Sequence, residues 1–318
     1  MSLTLNMVGG GGGGLTATDA LLRVQAPAGS TVTITKGSTT KTDQGHENAN
    51  DNTVYDYYFI IHASQFDSIN PWSVSATAEY GVTNTGTIVI DMPDEYNLTF
   101  KCRVPDGYQE VEYLSVTNAG PIIDPNIVAG DSWFSGSRVV EVGYMSTGTA
   151  FSDLFGGYYG NSSSTYNRFY IGLRQSGTNF IYGFGNDSAG DIWTNTSITS
   201  NVKYEGQFVS NNLSVSIYHK NIGAGTSTLL STKTLSRQPN SATKFVLFGD
   251  YSVINNQYTA GSNCRIYYCR FYKDDVFIHD LIPCYRKSDS VKGMFDRITN
   301  TFYTNANTGS FSVGSDVN

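Results

Sequence analysis

Short runs that alternate apolar and polar side chains recur along the chain, and no long stretch places apolar residues at i, i+3, i+4 and i+7. A period of two is the pattern of a half-buried strand, because successive strand side chains point to opposite faces. Val74, Ala76 and Ala78 alternate with Ser73, Ser75, Thr77 and Glu79. Val140, Val142 and Tyr144 alternate with Val139, Glu141 and Gly143. The pattern predicts strands over residues 20–25, 31–36, 55–62, 72–80, 85–90 and 96–101. Further strands are predicted over 110–117, 138–145, 153–159, 168–174, 180–185, 203–210, 213–219, 228–234 and 244–249. Turn chemistry separates the early strands at Pro27-Ala-Gly, Lys36-Gly-Ser, Tyr80-Gly81 and Met92-Pro-Asp. The expected class is therefore all-β.

The segment 264–303 reads as a β-hairpin followed by two short strands. Two runs rich in aromatic and β-branched residues, 265–273 and 276–285, are joined by Asp274-Asp275 at two-residue hairpin length. If Lys273 faces Val276, then His279 faces Arg270, and Cys264 and Cys284 meet only if the register slips by one. Cys264 and Cys269 lie five apart, which in an unbroken strand puts them on opposite faces. The four cysteines, Cys102, Cys264, Cys269 and Cys284, match no metal spacing and are expected to be buried thiols.

Phe277-Ile-His-Asp-Leu-Ile-Pro-Cys-Tyr-Arg-Lys-Ser-Asp289, Gly293-Met-Phe-Asp296 and Phe302-Tyr-Thr-Asn305 resemble the closing strands of concanavalin A-like (laminin-G-like) jelly-roll domains. The opening, Gly107-Tyr-Gln-Glu-Val-Glu-Tyr-Leu114 and then Ile122-Ile-Asp124, is similar too. Upstream, Val24-Gln-Ala-Pro-Ala-Gly-Ser-Thr-Val-Thr-Ile-Thr-Lys-Gly37, Trp72-Ser-Val-Ser-Ala-Thr77 and Glu95-Tyr-Asn-Leu-Thr-Phe100 resemble immunoglobulin-like or carboxypeptidase-regulatory-like modules. Together they imply an immunoglobulin-like β-sandwich over 15–103 and a concanavalin A-like jelly roll over 104–318. A glycine-rich leader, 1–14, precedes them; its six consecutive glycines resist ordering.

Jelly rolls of this kind are common in structural proteins of phages and prophages of gut bacteria. The resemblance therefore implies a non-enzymatic virion protein on the capsid surface, a tail fibre or the baseplate. Its expected partners are virion proteins, met through the N-terminal region, and a host-surface or mucosal glycan, met by many displayed copies. The alternatives are a prophage-encoded bacterial surface adhesin and a glycoside hydrolase of the jelly-roll class.

Charge narrows the field. A net charge of −7 with 20 scattered basic residues gives no phosphate-binding face, so no nucleic-acid partner is expected. No apolar run approaches a membrane span, and the N-terminus has no basic region followed by an apolar core. The expected location is the virion, assembled in the host cytoplasm and released by lysis. No cofactor, metal or catalytic residue is expected. Segment 43–56 is rich in carboxylates and amides but lacks a calcium-loop frame, and reads as a solvated loop. Glu110 and Glu112 share a face in the predicted strand and read as a solvent-facing pair. His46, His62, His219 and His279 read as structural or exposed positions.

The feature richest in possible binding chemistry is aromatic content within polar loops. Tyr158, Tyr159 and Tyr166 lie among glycines and small polar residues; Trp193 follows an Asn/Asp/Gly loop, and Trp133 follows Asp131-Ser132. Ring faces beside amides and hydroxyls suit sugars, whose C–H faces stack while their hydroxyls hydrogen-bond. The same composition suits a protein interface or a cap on the core, and all three readings stay open at this point.

Overall fold

The computed structural model describes residues 18–43, 45–47, 54–77, 83–100, 103–130, 135–148, 151–159, 169–176, 179–185, 193–234 and 241–317. The chain divides into two compact units, Met1–Lys101 and Cys102–Val317. Strands are numbered in chain order.

The first unit is a small two-sheet β-sandwich. One sheet runs β4 (His46–Glu47), β5 (Val54–Ile61), β1 (Ala20–Pro27), β8 (Glu95–Thr99); the other runs β3 (Thr39–Asp43), β2 (Thr31–Lys36), β6 (Asp67–Thr77), β7 (Thr83–Ile90). Neighbours are antiparallel except β1 and β8, which pair in parallel from Leu21↔Glu95. The period-two pattern sends Leu22, Val24, Val32, Ile34, Tyr57, Phe59, Trp72 and Val74 into one core; a fully buried large apolar side chain contributes roughly 1.5–3 kcal/mol. Ala78 lies outside the described residues. The predicted loop 43–56 is partly strand. Two of its carboxylates serve the chain: Asp43 accepts from the backbone N–H of Gly45 and Tyr58, and Asp56 takes the Arg23 guanidinium at 3.0 and 2.9 Å.

The second unit is a larger two-layer β-sandwich, the architecture expected of the jelly-roll class. Its 11-stranded sheet runs β19 (Ser227–Thr234), β18 (Ser214–Asn221), β17 (Lys203–Asn211), β12 (Ser137–Ser146), β23 (Cys264–Lys273), β24 (Val276–Arg286), β25 (Lys292–Asp296), β26 (Thr301–Thr304). Off this path, β10 (Leu114–Val116) pairs with β23 and β27 (Ser312–Val313), and β9 (Tyr108–Glu110) pairs with β24. The 8-stranded sheet runs β11 (Ile123–Val128), β20 (Lys244–Leu247), β13 (Phe151–Tyr159), β14 (Phe169–Ser176), β15 (Asn179–Gly185), β16 (Trp193–Ser197), with β21 (Gly249–Ser252) on β13 and on β22 (Gln257–Ala260). The core gathers Val140, Val142, Tyr144, Phe208, Ile217 and Phe271 of the larger sheet with Phe155, Phe180, Tyr182, Phe245 and Leu247 of the smaller. His219 is enclosed there, stacked on Phe180 at 4.7 Å and Tyr204 at 4.8 Å, with its Nε2 hydrogen-bonded to the Tyr144 hydroxyl at 2.9 Å.

Several expectations are corrected. The strand predicted over 110–117 is two strands, β9 and β10. Glu110 is buried, 1% exposed, and its carboxylate takes the Arg103 backbone N–H at 2.6 Å and Nε at 3.0 Å. Glu112 is exposed in the bend between the strands, so the two do not form a solvent-facing pair. The strand predicted over 244–249 breaks at Phe248, whose φ of 66° is the left-handed region and interrupts the ladder.

The closing hairpin turns on Asp274 and Asp275 at φ 49° and 63°, as a type I′ turn requires, with Lys273 opposite Val276. Beyond the turn the register shifts: Tyr272 faces Phe277, but Phe271 faces His279. The extra residue, Ile278, moves His279 off Arg270, which faces Asp280 instead.

A second bulge corrects the cysteines. Cys264 and Cys269 both point into the main core, because Tyr267 is an extra residue between them. Cys284 sits in a separate apolar cluster with Val104, Ile282 and Phe295. Cys264 lies across from Val116 and Ser146, and Cys284 across from Glu110 and Gly293, so the two do not face each other. Cys102 lies outside the described residues.

Candidate functional site

The bulge in β23 creates the most distinctive surface of the second unit. Across β12 and β23, Tyr144 pairs with Ile266 and Gly143 pairs with Tyr268, so Tyr267 has no opposite number. Ile266 and Cys269 point into the core, while Tyr267 and Tyr268 are half-buried on the outer face. Regular alternation then resumes: Phe271 is in the core, and Arg270 and Tyr272 are half-buried outside. Two tyrosines in succession thus share a face, which an unbroken strand forbids.

The neighbouring strands complete the face. β12 contributes Glu141 and Met145 with Gly143 between them, and β17 contributes Lys203, Glu205 and Gln207. The glycine is needed, because a Cβ at Gly143 would overlap the Tyr268 ring. Glu141 accepts hydrogen bonds from Gln207 Nε2 at 2.8 Å and the Tyr272 hydroxyl at 3.1 Å, with Arg270 Nη1 at 3.9 Å. The Tyr268 hydroxyl donates to Glu205. Arg270 lies over the Tyr268 ring at 4.5 Å, and Tyr272 packs on Phe277 at 4.2 Å. The face is therefore rings in file, flanked by two carboxylates, an amide and a guanidinium.

Its electrostatics follow from partial burial. Burial first, and then the charge of Glu205, push the Glu141 carboxyl above the usual range, while Gln207, Arg270 and Tyr272 pull it back. Burial, reinforced by Glu205, raises the Tyr268 hydroxyl far enough to keep it a hydrogen-bond donor. Burial opposes the Arg270 charge, but Asp280, Tyr268, Tyr272 and Glu141 outweigh it and the guanidinium is held charged.

The described residues among those singled out from sequence lie on the smaller sheet. Tyr158 and Tyr159 are in β13, opposite Tyr170 and Phe169, and Tyr159 is half-buried. Trp193 begins β16 opposite Gly183, with β14 and β15 between its strand and β13. All three belong to the smaller sheet; Tyr166 and Trp133 lie outside the described residues. The outer face of the larger sheet escaped the sequence reading, though a signal was present. In Cys264-Arg-Ile-Tyr-Tyr-Cys-Arg-Phe the core-type residues Ile266 and Cys269 are three apart, which a period of two accommodates only with a bulge.

Among the described residues no group of three His, Cys, Asp or Glu side chains could hold a metal ion. Among the described residues no helix is long and apolar enough to cross a membrane.

No family model matches the chain, and no curated protein matches it. Several solved structures are similar in shape. The LG1-3 region of the laminin alpha2 chain matches at 9% identity and a TM-score of 0.37, over 92% of this chain and 66% of that one. The CBM40 of the Ruminococcus gnavus IT-sialidase matches at 8% identity and a TM-score of 0.30, over 47% of this chain and 90% of that one. The full-length tailspike protein 2 from Escherichia coli O157:H7 bacteriophage CAB120 matches at 12% identity and a TM-score of 0.34, over 57% of this chain and 28% of that one. This chain likewise spans 26% of a NanB structure that it resembles. At these scores function has to be read from the chain's own residues.

Proposed function

We propose that the chain is a non-enzymatic, glycan-binding attachment protein whose ligand face is the outer surface of the larger sheet. The observation that carries this reading is the alignment of Tyr267, Tyr268 and Tyr272 with Glu141, Glu205, Gln207 and Arg270. Ring faces supply the apolar contact for pyranose C–H groups, and the flanking groups match a sugar's paired donors and acceptors. The groups now satisfying Glu141 and Glu205 are largely neutral, an amide and two hydroxyls, which sugar hydroxyls can replace like for like.

The setting proposed is a phage particle, in keeping with the resemblance of segment 277–305 to virion jelly rolls. The first unit, read as immunoglobulin-like, would dock to the particle and leave the second outward. Many displayed copies would convert weak single sites into firm attachment. An adhesin from a prophage would use the same face. A glycan array tests the binding: wild type retained, and Tyr268→Ala and Tyr272→Ala lost. Silence across the array, with firm binding to capsid or tail proteins, would replace the reading with a purely structural one.

Hydrolysis is the second reading, and one observation favours it. Glu141 and Glu205 lie on neighbouring strands, and the Glu141 carboxyl is raised, as suits a general acid beside a second carboxyl group. Reducing-sugar release from a polysaccharide panel, abolished in Glu141→Gln, would establish it.

A further inference from the structure

One end of this face is chemically unlike the rest. Lys203 Nζ lies 4.1 Å from the centre of the Tyr267 ring, and the Arg265 guanidinium lies 4.4 Å from the centre of the Tyr113 ring. The two rings meet edge to face at 5.5 Å. Met145 sits under both partners: its Sδ accepts from Arg265 Nη1 at 3.5 Å and from the Tyr267 hydroxyl at 3.6 Å. The bulge that sets Tyr267 beside Tyr268 therefore makes this cluster continuous with the tyrosine–carboxylate face.

The two cations of the cluster have no ion-paired anion among the described residues; Glu112, the carboxylate that acts on Lys203, is exposed and beyond ion-pair distance. Among the described residues neither Lys203 nor Arg265 has a carboxylate within ion-pair distance, and the Arg265 Nε is buried with no hydrogen-bond partner. Arg103, the third cation nearby, is already held by Glu110. Burial and the Arg103 charge both work against the Lys203 ammonium, and Glu112 alone works for it. A cation over a ring gains only about 0.5–2 kcal/mol, and a charge-assisted hydrogen bond to a carboxylate is the stronger interaction that these two groups are placed to make.

Resting on the glycan reading above, we propose that Lys203 and Arg265 bind the carboxylate of an acidic sugar, of the uronic or sialic type, while Tyr267 and Tyr268 hold its ring and the next. The larger sheet would then read an anionic polysaccharide running along β23.

The test is calorimetric titration of the intact chain with trigalacturonate, with an α2,8-linked sialic acid trimer, with neutral galactotriose and with sodium acetate. At least one acidic trimer should bind about tenfold tighter than the neutral one, the worth of one good charge-assisted contact. Which trimer it is identifies the class of acid. Arg265→Gln and Lys203→Gln should each erase the preference, so that acidic and neutral trimers bind the same variant equally, with melting temperatures checked so that misfolding of one leaves the other to decide. Equal affinity for acidic and neutral trimers, or a preference that survives in both variants, would overturn the inference and leave the glycan reading standing. Acetate binding as tightly as the trimers would overturn it in favour of a bare anion site. No binding of any saccharide would overturn both.

Discussion

The larger sheet carries two sets of carboxylates that are partnered in opposite ways. Asp280 and Asp296 are 0% exposed, and a guanidinium, an imidazole, a hydroxyl and backbone N–H groups face them. Arg297 Nε holds Asp280 at 2.9 Å; His279 Nδ1 and the Thr299 hydroxyl hold Asp296 at 2.7 and 2.8 Å, and the backbone N–H groups of Asp280 and Ile298 complete it. Burial works against the Asp296 charge, yet these donors outweigh it and keep the carboxyl below the usual range. Glu141 and Glu205, a few residues away across the sheet, are half-buried and lean mainly on Tyr272, Gln207 and Tyr268. A sealed carboxylate needs strong, fixed partners to offset its desolvation; a carboxylate at an open face can use neutral donors and remain exchangeable. The first set fixes the fold, and the second is available to a ligand.

The sharpest break of this contrast is Asp280→Asn. It leaves Arg297 and Arg270 short of their partner inside the protein, and should cost about 3–5 kcal/mol in urea unfolding. A loss under about 1 kcal/mol would show that the network is loosely held. His219 tests the same rule from the other side, since a sealed group with only a neutral partner must stay uncharged. Burial pushes its pKa down to about 4. The unfolded chain therefore binds the proton first, so stability is full above pH ~6.5 and falls as pH drops from there toward 4, by about 3 kcal/mol in total. Denaturation followed against pH should lose this slope in His219→Gln.

Smaller effects belong to the open face. Gly143→Ala forces the Tyr268 ring aside and should cost about 1–3 kcal/mol together with saccharide binding. Glu205→Gln and Tyr272→Phe should each change stability by about 1 kcal/mol or less while weakening binding several-fold. Equal stability losses for Glu205→Gln and Asp280→Asn would erase the distinction between the two sets.

The strand pattern was plain in the sequence, because a period of two survives wherever the ladder is unbroken. Residues 31–36, 138–145 and 203–210 fall inside observed strands for that reason. Misreadings arise where one residue breaks the count. Tyr267 and Ile278 each shift the faces that follow, which turned Cys269 inward with Cys264 and moved His279 from Arg270 to Phe271. Phe248 adopts a left-handed conformation that its side chain does not announce. Glu110 is buried because Arg103, on a separate stretch, neutralises it, and such pairing is a matter of three dimensions. The candidate face was missed for the same reason: its members come from β12, β17 and β23, distant in sequence and joined only by register.

Hydrogen–deuterium exchange with and without a saturating oligosaccharide from the array would test the central claim most directly. The account predicts added protection in residues 139–145, 203–207 and 265–273, on the larger sheet. Protection confined to the smaller sheet around residues 158–159 and 193, with the larger sheet unchanged, would contradict it.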